Sequence, residues 1–468
     1  MRKPWVFLTY ILMAGYLLLA AGAFYWQVGQ REALVNHPSN PYRLMEHYRV
    51  RRGGIFASGG EVIAESLERE NSFERVFGGT SGLAPTIGYF SRRYGTAGME
   101  KAMDDLLMGR RYPGTSIIGR IRHLLSEPAS GYDVITSIDL NLQRTVEQAF
   151  AGRKGAAVVM EVKTGRILAI ASLPGFDPET VDSQWDKIIS DVNSPLYNRA
   201  LAGFYPPGST FKIVVLAAAL ADGELDLTST FDDPGTVTVE GHTIANAGGT
   251  AWGPITLLEA LAVSSNVVFA ETARKIGSDR LLEMARAFGL GRRPPLAGDN
   301  VGAGRLPAGV LSQLELAQMA IGQYGLVTTP LQMAMVVQAV ANDGLMMEPM
   351  LVDAVKGPGE GSRWANRPRP MGYVVGVQTA RQIRQAMAEV VTRGTGRSAA
   401  LRGIDVGGKT GSAENPQGRA HAWFVGMAPV DQPAICLAVV VEHGGSGGSV
   451  AAPIARRILA AYFEGAGS

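Results

Sequence analysis

An uncharged apolar run near the N-terminus constrains this 468-residue chain more than any other feature. Residues 5–25 read WVFLTYILMAGYLLLAAGAFY and contain no charged side chain. At the α-helical rise of 1.5 Å per residue, a run of this length spans roughly 30 Å, which is the thickness of a bilayer core. Arg2 and Lys3 precede the run, and such cations keep their end of a span in the cytoplasm. We therefore predict a single-pass cell-membrane anchor over residues 1–28, with the rest of the chain extracytoplasmic.

A cleaved signal peptide is the alternative interpretation of this run. Ala21-Gly22-Ala23 fits the small-residue rule for cleavage sites. The apolar segment of a signal peptide is usually only about 7–15 residues long, so the length favours an uncleaved anchor. The rest of the chain is exported under either interpretation.

Composition predicts a large folded region and excludes several classes of function. Hydrophobic residues make up 46% of the chain and charged residues 18%, which is enough apolar content for a sizeable core. The net charge of +2 comes without a basic block, which argues against a nucleic-acid partner. Cys436 is the single cysteine and lies in an apolar run, so we expect a buried, inert thiol and no disulfide within the chain. The histidines have no metal-binding spacing, and we expect neither a metal nor another cofactor.

Hydrophobic periodicity divides the exported part into two regions. Residues 29–135 are polar and irregular, with one short apolar alternation and a predicted helix of about twelve residues from Gly98, and we interpret them as a small non-catalytic module. Asp139 is a candidate N-cap at the start of the second region, residues 136–468. Helical patterns fill the middle of this region, and strand patterns with hairpin turns lie near both of its ends. This arrangement predicts an α+β fold in which helices pack on one antiparallel sheet.

Ser209 and Lys212 form an S-x-x-K pair at the start of a helix predicted over residues 209–223. Side chains three positions apart share a helix face, with Cβ atoms roughly 5–6 Å apart, so the amine of Lys212 can reach the Ser209 hydroxyl. That hydroxyl is a poor nucleophile until a base takes its proton, and lysine becomes such a base when burial or a nearby cation disfavours its charged form. Alone, the pair also fits an N-cap serine beside a surface lysine.

Two further polar segments follow this pair. Ser264-Ser265-Asn266 interrupts a helix predicted over residues 255–277, and Lys409-Thr410-Gly411-Ser412 lies on a predicted strand, where the small Gly411 permits close approach. A second Lys-Thr-Gly at residues 163–165 is interpreted as a hairpin turn between two strands. Each segment alone fits an ordinary turn or strand, but the order S-x-x-K, S-x-N, K-T-G in one region is much less expected by chance. The order also selects residues 409–411, because only that copy follows both other motifs.

The ordered trio resembles the signature of penicillin-recognising serine enzymes. Over about residues 135–468, segments such as FYPPGSTFKI, IGQYGLVTTPLQMA and GGKTGSAENPQGRAHAWFVGMAP are similar to class B penicillin-binding proteins, the monofunctional transpeptidases. RVRRGGIFASGGEVIAES resembles the start of their N-terminal pedestal, and the short pedestal is most similar to the penicillin-binding protein A type. The chain departs from the family at Ala57-Ser58, where many members have Asp-Arg, and at Tyr324, where glycine is common. The resemblance implies the transpeptidase fold, an antiparallel sheet with helices on both sides, over residues 136–468 and a dimerisation-like pedestal over residues 29–135.

The resemblance also implies roles in acyl transfer. Ser209 would attack the penultimate D-alanine carbonyl of a peptidoglycan stem peptide, and Lys212 would take its proton. Ser264 would relay a proton to the leaving amine, supported by Lys409, while Asn266 would hold the substrate and orient Lys212. An amine of a neighbouring stem peptide would then close the cross-link, and a β-lactam would acylate the same serine.

Substrate binding is implied for the strand motif. Thr410, Gly411 and Ser412 would contact the substrate, with the two hydroxyls binding its terminal carboxylate. The backbone N–H groups of Ser209 and Ser412 would form the oxyanion hole. The resemblance further implies a role in elongation or division, together with partners in that machinery, including a polytopic SEDS-type glycosyltransferase, because no region resembles a glycan polymerase.

Other functions fit parts of the same sequence. A class A β-lactamase needs a deacylating glutamate beyond the second motif, but between Met284 and Leu314 the only acidic residue is Asp299. A DD-carboxypeptidase stays open, because water could replace the acceptor amine. A β-lactam sensor usually carries several membrane spans, and a structural division protein would not need the intact trio.

Overall fold

The computed structural model describes residues 4–30, 50–69, 72–114, 130–221, 223–298, 300–357, 363–416 and 418–465. Three residues used above lie outside this part of the chain: Arg2 and Lys3, from which the membrane orientation was predicted, and Asp299, from the argument against a class A β-lactamase.

The strands belong to one six-stranded sheet, one five-stranded sheet and several two-stranded ribbons. In chain order the strands are β1 Ile55–Phe56, β2 Val62–Arg69, β3 Ser72–Phe77, β4 Phe90–Ser91, β5 Gly95–Thr96, β6 Asp133–Thr136, β7 Gly155–Glu161, β8 Ile167–Leu173, β9 Thr230–Asp233, β10 Thr236–Val239, β11 His242–Ala245, β12 Gly253–Thr256, β13 Leu345–Met347, β14 Val352–Lys356, β15 Arg363–Ala365, β16 Pro370–Tyr373, β17 Gly407–Asn415, β18 Gly418–Ala428 and β19 Ile435–Val441.

The α-helices lie mostly between and after the strands of the five-stranded sheet. In chain order they are α1 Pro4–Phe24, α2 Ala84–Ile87, α3 Gly98–Ala102, α4 Asp104–Leu107, α5 Leu140–Phe150, α6 Val181–Ser190, α7 Arg199–Ala202, α8 Lys212–Ala221, α9 Leu257–Val263, α10 Asn266–Ile276, α11 Ser278–Ala287, α12 Gln313–Ala320, α13 Pro330–Ala341, α14 Val377–Thr392 and α15 Ala452–Gly465.

The five-stranded sheet is antiparallel, with strand order β17-β18-β19-β7-β8. Its side chains alternate between two buried layers: Cys436 and Ala438 of β19 face one cluster, while Leu437 and Val439 face the other. Helix α13 covers the first face, and α5 and α15 cover the second. The predicted fold, one antiparallel sheet with helices on both sides, is therefore confirmed.

Local signals in the sequence account for several element ends. Asp139 caps α5 by accepting hydrogen bonds from the backbone N–H groups of Asn141 and Leu142. Gly165 has φ of 75° in the turn between β7 and β8, as the hairpin interpretation of residues 163–165 requires. Cys436 is fully buried, as expected, and burial raises the pKa of its thiol, which disfavours the reactive thiolate.

The six-stranded sheet joins two distant parts of the chain. Its order is β15-β14-β6-β1-β2-β3, so two strands after residue 350 continue a sheet that begins in the pedestal. The expected boundary between residues 135 and 136 falls inside β6, which pairs with β1 on one side and β14 on the other. The expected single helix from Gly98 was wrong in length: it is two short helices, α3 and α4, interrupted at Met103 with φ of −104° and ψ of 12°.

Helix α1 stands apart from both sheets. It has 21 residues, its apolar side chains are exposed, and the apolar stretch Trp5–Gln27 is long enough to cross a membrane. An exposed, uniformly apolar helix buries its surface in lipid rather than in a protein core.

A buried ionic cluster joins Arg52, which precedes β1, to Arg75 of β3 and Glu100 of α3. Glu100 is fully buried and accepts a hydrogen bond from Arg52 Nε at 2.7 Å and from Arg75 Nε at 2.8 Å. Burial opposes the carboxylate form, but Arg75 and Arg52 outweigh it and lower the pKa of Glu100. Arg75 therefore depends on this carboxylate, whereas Arg52 also pairs with Asp104 at 2.5 Å.

We predict that Glu100→Gln lowers the free energy of unfolding by about 3–5 kcal/mol, because it leaves the buried Arg75 guanidinium without its paired carboxylate and Arg52 with Asp104 alone. Urea denaturation of the wild type and the variant measures the difference. Glu74→Gln is the matched control, since the Glu74–Arg69 pair is exposed at 59% and 64% and should contribute little. Equal losses for the two variants would contradict this role of the cluster.

Candidate active site

Ser209 lies in a 3₁₀ turn, Gly208–Phe211, directly before α8. The sequence predicted that Ser209 begins the α-helix itself, and this was wrong: Pro206, Pro207 and the positive φ of 53° at Gly208 impose a tighter turn, and the α-helix begins at Lys212. Thr210 Oγ1 donates to Pro207 O at 2.7 Å and closes the turn. The result is a half-buried Ser209 on a rigid corner one turn before Lys212.

This turn packs directly against strand β17. A Cβ added to Gly411 would lie 3.0 Å from Thr210 Cγ2 and 3.1 Å from Pro207 O, so only glycine fits without displacement. A Cβ at Gly208 would lie 3.2 Å from the carbonyl carbon of Ser412. The close approach expected of Gly411 is therefore present, and it places the turn of Ser209 beside the backbone of Ser412.

Ser264 lies at a break between two helices. Thr256 and Glu259 form the predicted capping box of α9, and Ser264 ends that helix in the left-handed conformation with φ of 61°. Ser265 then caps α10, because its Oγ accepts from Val268 N at 3.0 Å. The break at residues 264–266 was predicted, and it turns Ser264 and Asn266 into the cleft that Ser209 also lines.

Lys212 is fully buried and bonds to Ser264 and Asn266 of the break. Its Nζ donates to Ser264 O at 2.7 Å and to Asn266 Oδ1 at 2.7 Å, and it lies 3.3 Å from Ser264 Oγ. Ser209 is not among the hydrogen-bond partners of Lys212 in the part of the chain that the structure describes. Catalytic hydrogen bonds are often long before substrate binds, so this geometry is compatible with proton transfer from Ser209.

Lys409 approaches Ser264 from the opposite side. Its Nζ donates to Ser264 Oγ at 2.8 Å and to Thr410 O at 3.1 Å, and the side chain is fully buried. The hydroxyl of Ser264 therefore lies between two amines, which we call the amine–hydroxyl–amine chain (Lys212, Ser264 and Lys409). The first and the third motif therefore meet at a hydroxyl that belongs to the second.

Burial disfavours the charged form of both lysines. It lowers the pKa of Lys409 to about 7. Burial, followed by repulsion from Lys409, also lowers the pKa of Lys212 well below its usual value, while Asp233 acts in the opposite direction. Near neutral pH, a neutral lysine able to accept a proton is therefore accessible at this site.

The remaining predicted residues line the same cleft, whose volume is about 1310 Å³. Thr410 Oγ1 lies 2.6 Å from Thr395 Oγ1, and Ser412 Oγ accepts from Gly447 N at 3.3 Å. Strand β17 is at the edge of its sheet, so one side of its backbone faces the cleft. Six of the predicted site residues line this cleft: Ser209, Ser264, Asn266, Thr410, Gly411 and Ser412. The other two, Lys212 and Lys409, are buried behind the cleft wall and contact Ser264.

Three polar residues near the motifs were not predicted from the sequence. Asp233 is fully buried and contacts Ser265, Asn246 contacts the first turn of α10, and Thr395 contacts Thr410. Asp233 ends β9 and Asn246 directly follows β11, about 20 to 30 residues before the S-x-N motif. A DPG turn signal follows Asp232, but nothing in the local pattern indicates which carboxylate turns inward.

The second Lys-Thr-Gly copy lies away from the cleft lining. Lys163 Nζ donates to Asn342 Oδ1 at 3.1 Å in the hairpin turn, which agrees with its interpretation as a connection. Tyr324, a departure from the family pattern, has a positive φ of 49°, lines the cleft and donates through its hydroxyl to Glu315. At the other departure, Ala57 is fully buried and Ser58 Oγ donates to Ile138 O at 3.0 Å.

Comparisons with known proteins agree with this fold and cleft. The sequence model of the penicillin binding protein transpeptidase domain matches residues 155–460, and that of the penicillin binding protein A dimerisation domain matches residues 52–132. The chain therefore belongs to the penicillin-binding protein transpeptidase family, as the resemblance of its motifs indicated.

The similarity extends to a particular branch of the family. The chain is 34% identical to the peptidoglycan D,D-transpeptidase PbpA of Mycolicibacterium smegmatis, over 97% of each chain. It superimposes with a TM-score of 0.82 on the ceftriaxone acyl-enzyme complex of penicillin-binding protein A from M. tuberculosis, at 31% identity, covering 89% of this chain and 99% of that one. A D,D-transpeptidase domain from Eggerthella lenta gives a TM-score of 0.79 at 34% identity, covering 90% and 99%.

The low pKa of Lys409 predicts a pH-dependent stability. In the unfolded chain lysine titrates near its usual value of about 10.4, so between pH 7 and that value the unfolded state binds more protons. Relative to Lys409→Met, the free energy of unfolding of the wild type should rise by up to about 4 kcal/mol as pH increases through this window. Below about pH 7 the difference between the two proteins should stay constant. Urea unfolding of both proteins from about pH 6 to 10 measures the difference, and parallel curves would contradict a buried lysine with this pKa.

Proposed function

We propose that this protein is a peptidoglycan D,D-transpeptidase that works through an acyl-enzyme on Ser209. The observation that carries the proposal is the amine–hydroxyl–amine chain beside Ser209: Lys212 and Lys409 both contact the hydroxyl of Ser264, at 3.3 and 2.8 Å. Activation of a serine requires a base, and departure of an amine requires an acid. Two buried lysines joined by one hydroxyl can supply both.

In the acylation step, Ser209 Oγ bonds to the carbonyl carbon of the penultimate D-alanine while its proton passes to neutral Lys212. The carbonyl oxygen becomes an oxyanion, which the backbone N–H groups of Ser209 and Ser412 stabilise. The close packing of Gly208, where an added Cβ would lie 3.2 Å from the carbonyl carbon of Ser412, supports this pair of donors.

Collapse of the oxyanion breaks the bond between that carbonyl carbon and the nitrogen of the terminal D-alanine. The leaving nitrogen takes a proton from Ser264 Oγ, which is replenished from Lys212 or Lys409. Asn266 orients the base, because its Oδ1 accepts from Lys212 Nζ at 2.7 Å while its Nδ2 donates to Ala245 O at 2.8 Å. Free D-alanine is the first product, and Ser209 carries an ester.

Substrate binding falls to strand β17. An extended peptide can pair with the open edge of the sheet, and the Thr410 and Ser412 hydroxyls can donate to its terminal carboxylate. Lys409 adds positive charge behind that strand when it is protonated. A β-lactam offers the same carboxylate and acyl carbon, so it acylates Ser209 as a substrate mimic.

Transfer to an amine completes the reaction. The amine of a second stem peptide bonds to the ester carbon, gives up a proton through the same chain, and expels Ser209 Oγ, which recovers its proton. The new amide is the cross-link.

We further propose the division of the chain into an anchor over residues 1–28, a pedestal over residues 29–135 and a transpeptidase domain over residues 136–468. The matched family regions, 52–132 and 155–460, fall within these limits and support it. Helix α1 would hold the protein in the cell membrane with its N-terminus in the cytoplasm. Cross-linking by such a domain needs glycan strands made by another protein, for which a SEDS-type glycosyltransferase of the elongation or division machinery is our proposal.

We predict that a fluorescent penicillin labels the wild type covalently and that Ser209→Ala removes the label, because the acyl bond is on Ser209 Oγ. Labelling read by gel fluorescence and intact mass tests this, with circular dichroism to confirm folding. Persistent labelling of a folded Ser209→Ala protein would contradict the assignment of the nucleophile.

The two Lys-Thr-Gly copies provide a matched comparison in the same assay. Lys409→Ala should slow acylation roughly 10²-fold or more, as expected for loss of a proton-transfer partner. Lys163→Ala should leave the rate nearly unchanged, because its contact with Asn342 lies in a turn between strands. Similar losses in both folded variants would show that the copy at 409–411 has no special role.

We also predict cross-linked dimers when the purified protein receives lipid-linked glycan and a glycan polymerase. Digestion of the product and mass spectrometry distinguish dimers from trimmed monomers, and Ser209→Ala controls for other enzymes. Release of D-alanine without dimers would favour a carboxypeptidase instead.

A further inference from the structure

A fully buried carboxylate lies directly behind the Ser264-Ser265-Asn266 break. Asp233, the last residue of β9, has no exposed surface. It accepts hydrogen bonds from Ser265 Oγ at 2.6 Å, from Asn246 Nδ2 at 2.7 and 2.9 Å, and from Gly235 N at 2.9 Å. A buried carboxylate with this many donors is held in one orientation.

Asn246 connects this carboxylate to the start of α10. Its Nδ2 faces Asp233, and its Oδ1 accepts from the backbone N–H groups of Asn266 at 2.7 Å and Val267 at 3.2 Å. The carboxylate fixes the orientation of the amide, since the group facing Asp233 must be the donor. The first turn of α10 is therefore held by a side chain that Asp233 itself holds.

Both branches of this network end on the acceptors of Lys212. Ser265 is covalently next to Ser264, whose carbonyl accepts from Lys212 Nζ at 2.7 Å, and Asn266 supplies the second acceptor at 2.7 Å. The left-handed conformation of Ser264 is unfavourable for a residue other than glycine, so surrounding contacts must maintain it. Asp233 and Asn246 hold the two residues that directly follow Ser264 in the chain, Ser265 and Asn266.

We propose that Asp233 and Asn246 are positioning residues of this reaction, which hold Ser264 and Asn266 in register with Lys212 through Ser265 and through the first turn of α10. The inference rests on the proposed function and extends it to residues outside the three motifs. It also assigns a task to the middle residue of the second motif: Ser265 both caps α10 and ties the break to Asp233.

Asp233 also has an electrostatic effect on Lys212. This effect allows an experiment to distinguish a role in positioning the site from a role in stabilising the fold. The charged groups that act on Lys212 are Lys409 on β17 and Asp233 on β9, and the negative Asp233 raises the pKa of Lys212 against the effects of burial and Lys409. Removing that charge disfavours the ammonium form, so neutral Lys212 should persist to lower pH. The acidic limb of the acylation profile should then move to lower pH, which a purely structural role would not cause.

The test measures the second-order rate constant of acylation by a chromogenic cephalosporin from about pH 5 to 9. For Asp233→Asn we expect the plateau to fall about tenfold or more, because the acceptors of Lys212 are displaced, and the acidic limb to move to lower pH. For Ser265→Ala, which keeps the charge of Asp233 but loses both the hydrogen bond to Asp233 and the cap of α10, we expect a lower plateau and an unmoved limb. Asp232→Asn, an exposed neighbour on the same strand, is the matched control and should follow the wild type.

A folded Asp233→Asn protein with the wild-type plateau or an unmoved acidic limb would overturn the inference. If thermal unfolding shows that Asp233→Asn does not fold, Ser265→Ala decides, and a wild-type plateau in that variant would overturn it. Absence of acylation in the wild type itself would instead overturn the proposed function, and the inference with it.

Discussion

One hydroxyl between two fully buried lysines is the interaction on which this site depends. Among the described residues, no carboxylate forms a hydrogen bond or ion pair with Lys212 or Lys409, and keeping two unpaired ammonium groups out of water is very costly. Burial lowers the pKa of both lysines, which favours their neutral forms and reduces this cost. Ser264 then offers a hydroxyl that can accept from one amine and donate to the other, so a proton can move along the chain.

The scaffold explains why these three groups stay together. Lys212 begins a helix in the core, Lys409 lies on an edge strand of the five-stranded sheet, and Ser264 occupies a break between two other helices. Close backbone contacts, such as that between Gly411 and the carbonyl oxygen of Pro207, fix strand β17 against the turn that carries Ser209. The break is an irregular element, and the buried Asp233 supports it from behind.

Local sequence patterns predicted much of this arrangement, whereas features that depend on contacts between distant residues were not predicted. The capping box of Thr256 and Glu259, the cap at Asp139 and the hairpin turn at Gly165 depend on neighbouring residues, so their patterns are visible in the sequence. The interruption at Met103 and the pairing of β14 with β6 depend on tertiary contacts that no periodicity encodes. The 3₁₀ turn at Ser209 was missed although Pro206, Pro207 and Gly208, which impose it, are adjacent in the sequence. The motif trio was recognisable by its order, but the inward direction of Asp233 was not.

A crystal structure of the protein reacted with benzylpenicillin tests the central claim most directly. We predict continuous density from Ser209 Oγ to the opened lactam carbonyl, whose oxygen faces the N–H groups of residues 209 and 412. Both lysine Nζ atoms should stay within hydrogen-bonding distance of Ser264 Oγ or its backbone carbonyl. Density on another nucleophile, or a Lys409 amine that has left Ser264 in the acyl-enzyme, would contradict this claim.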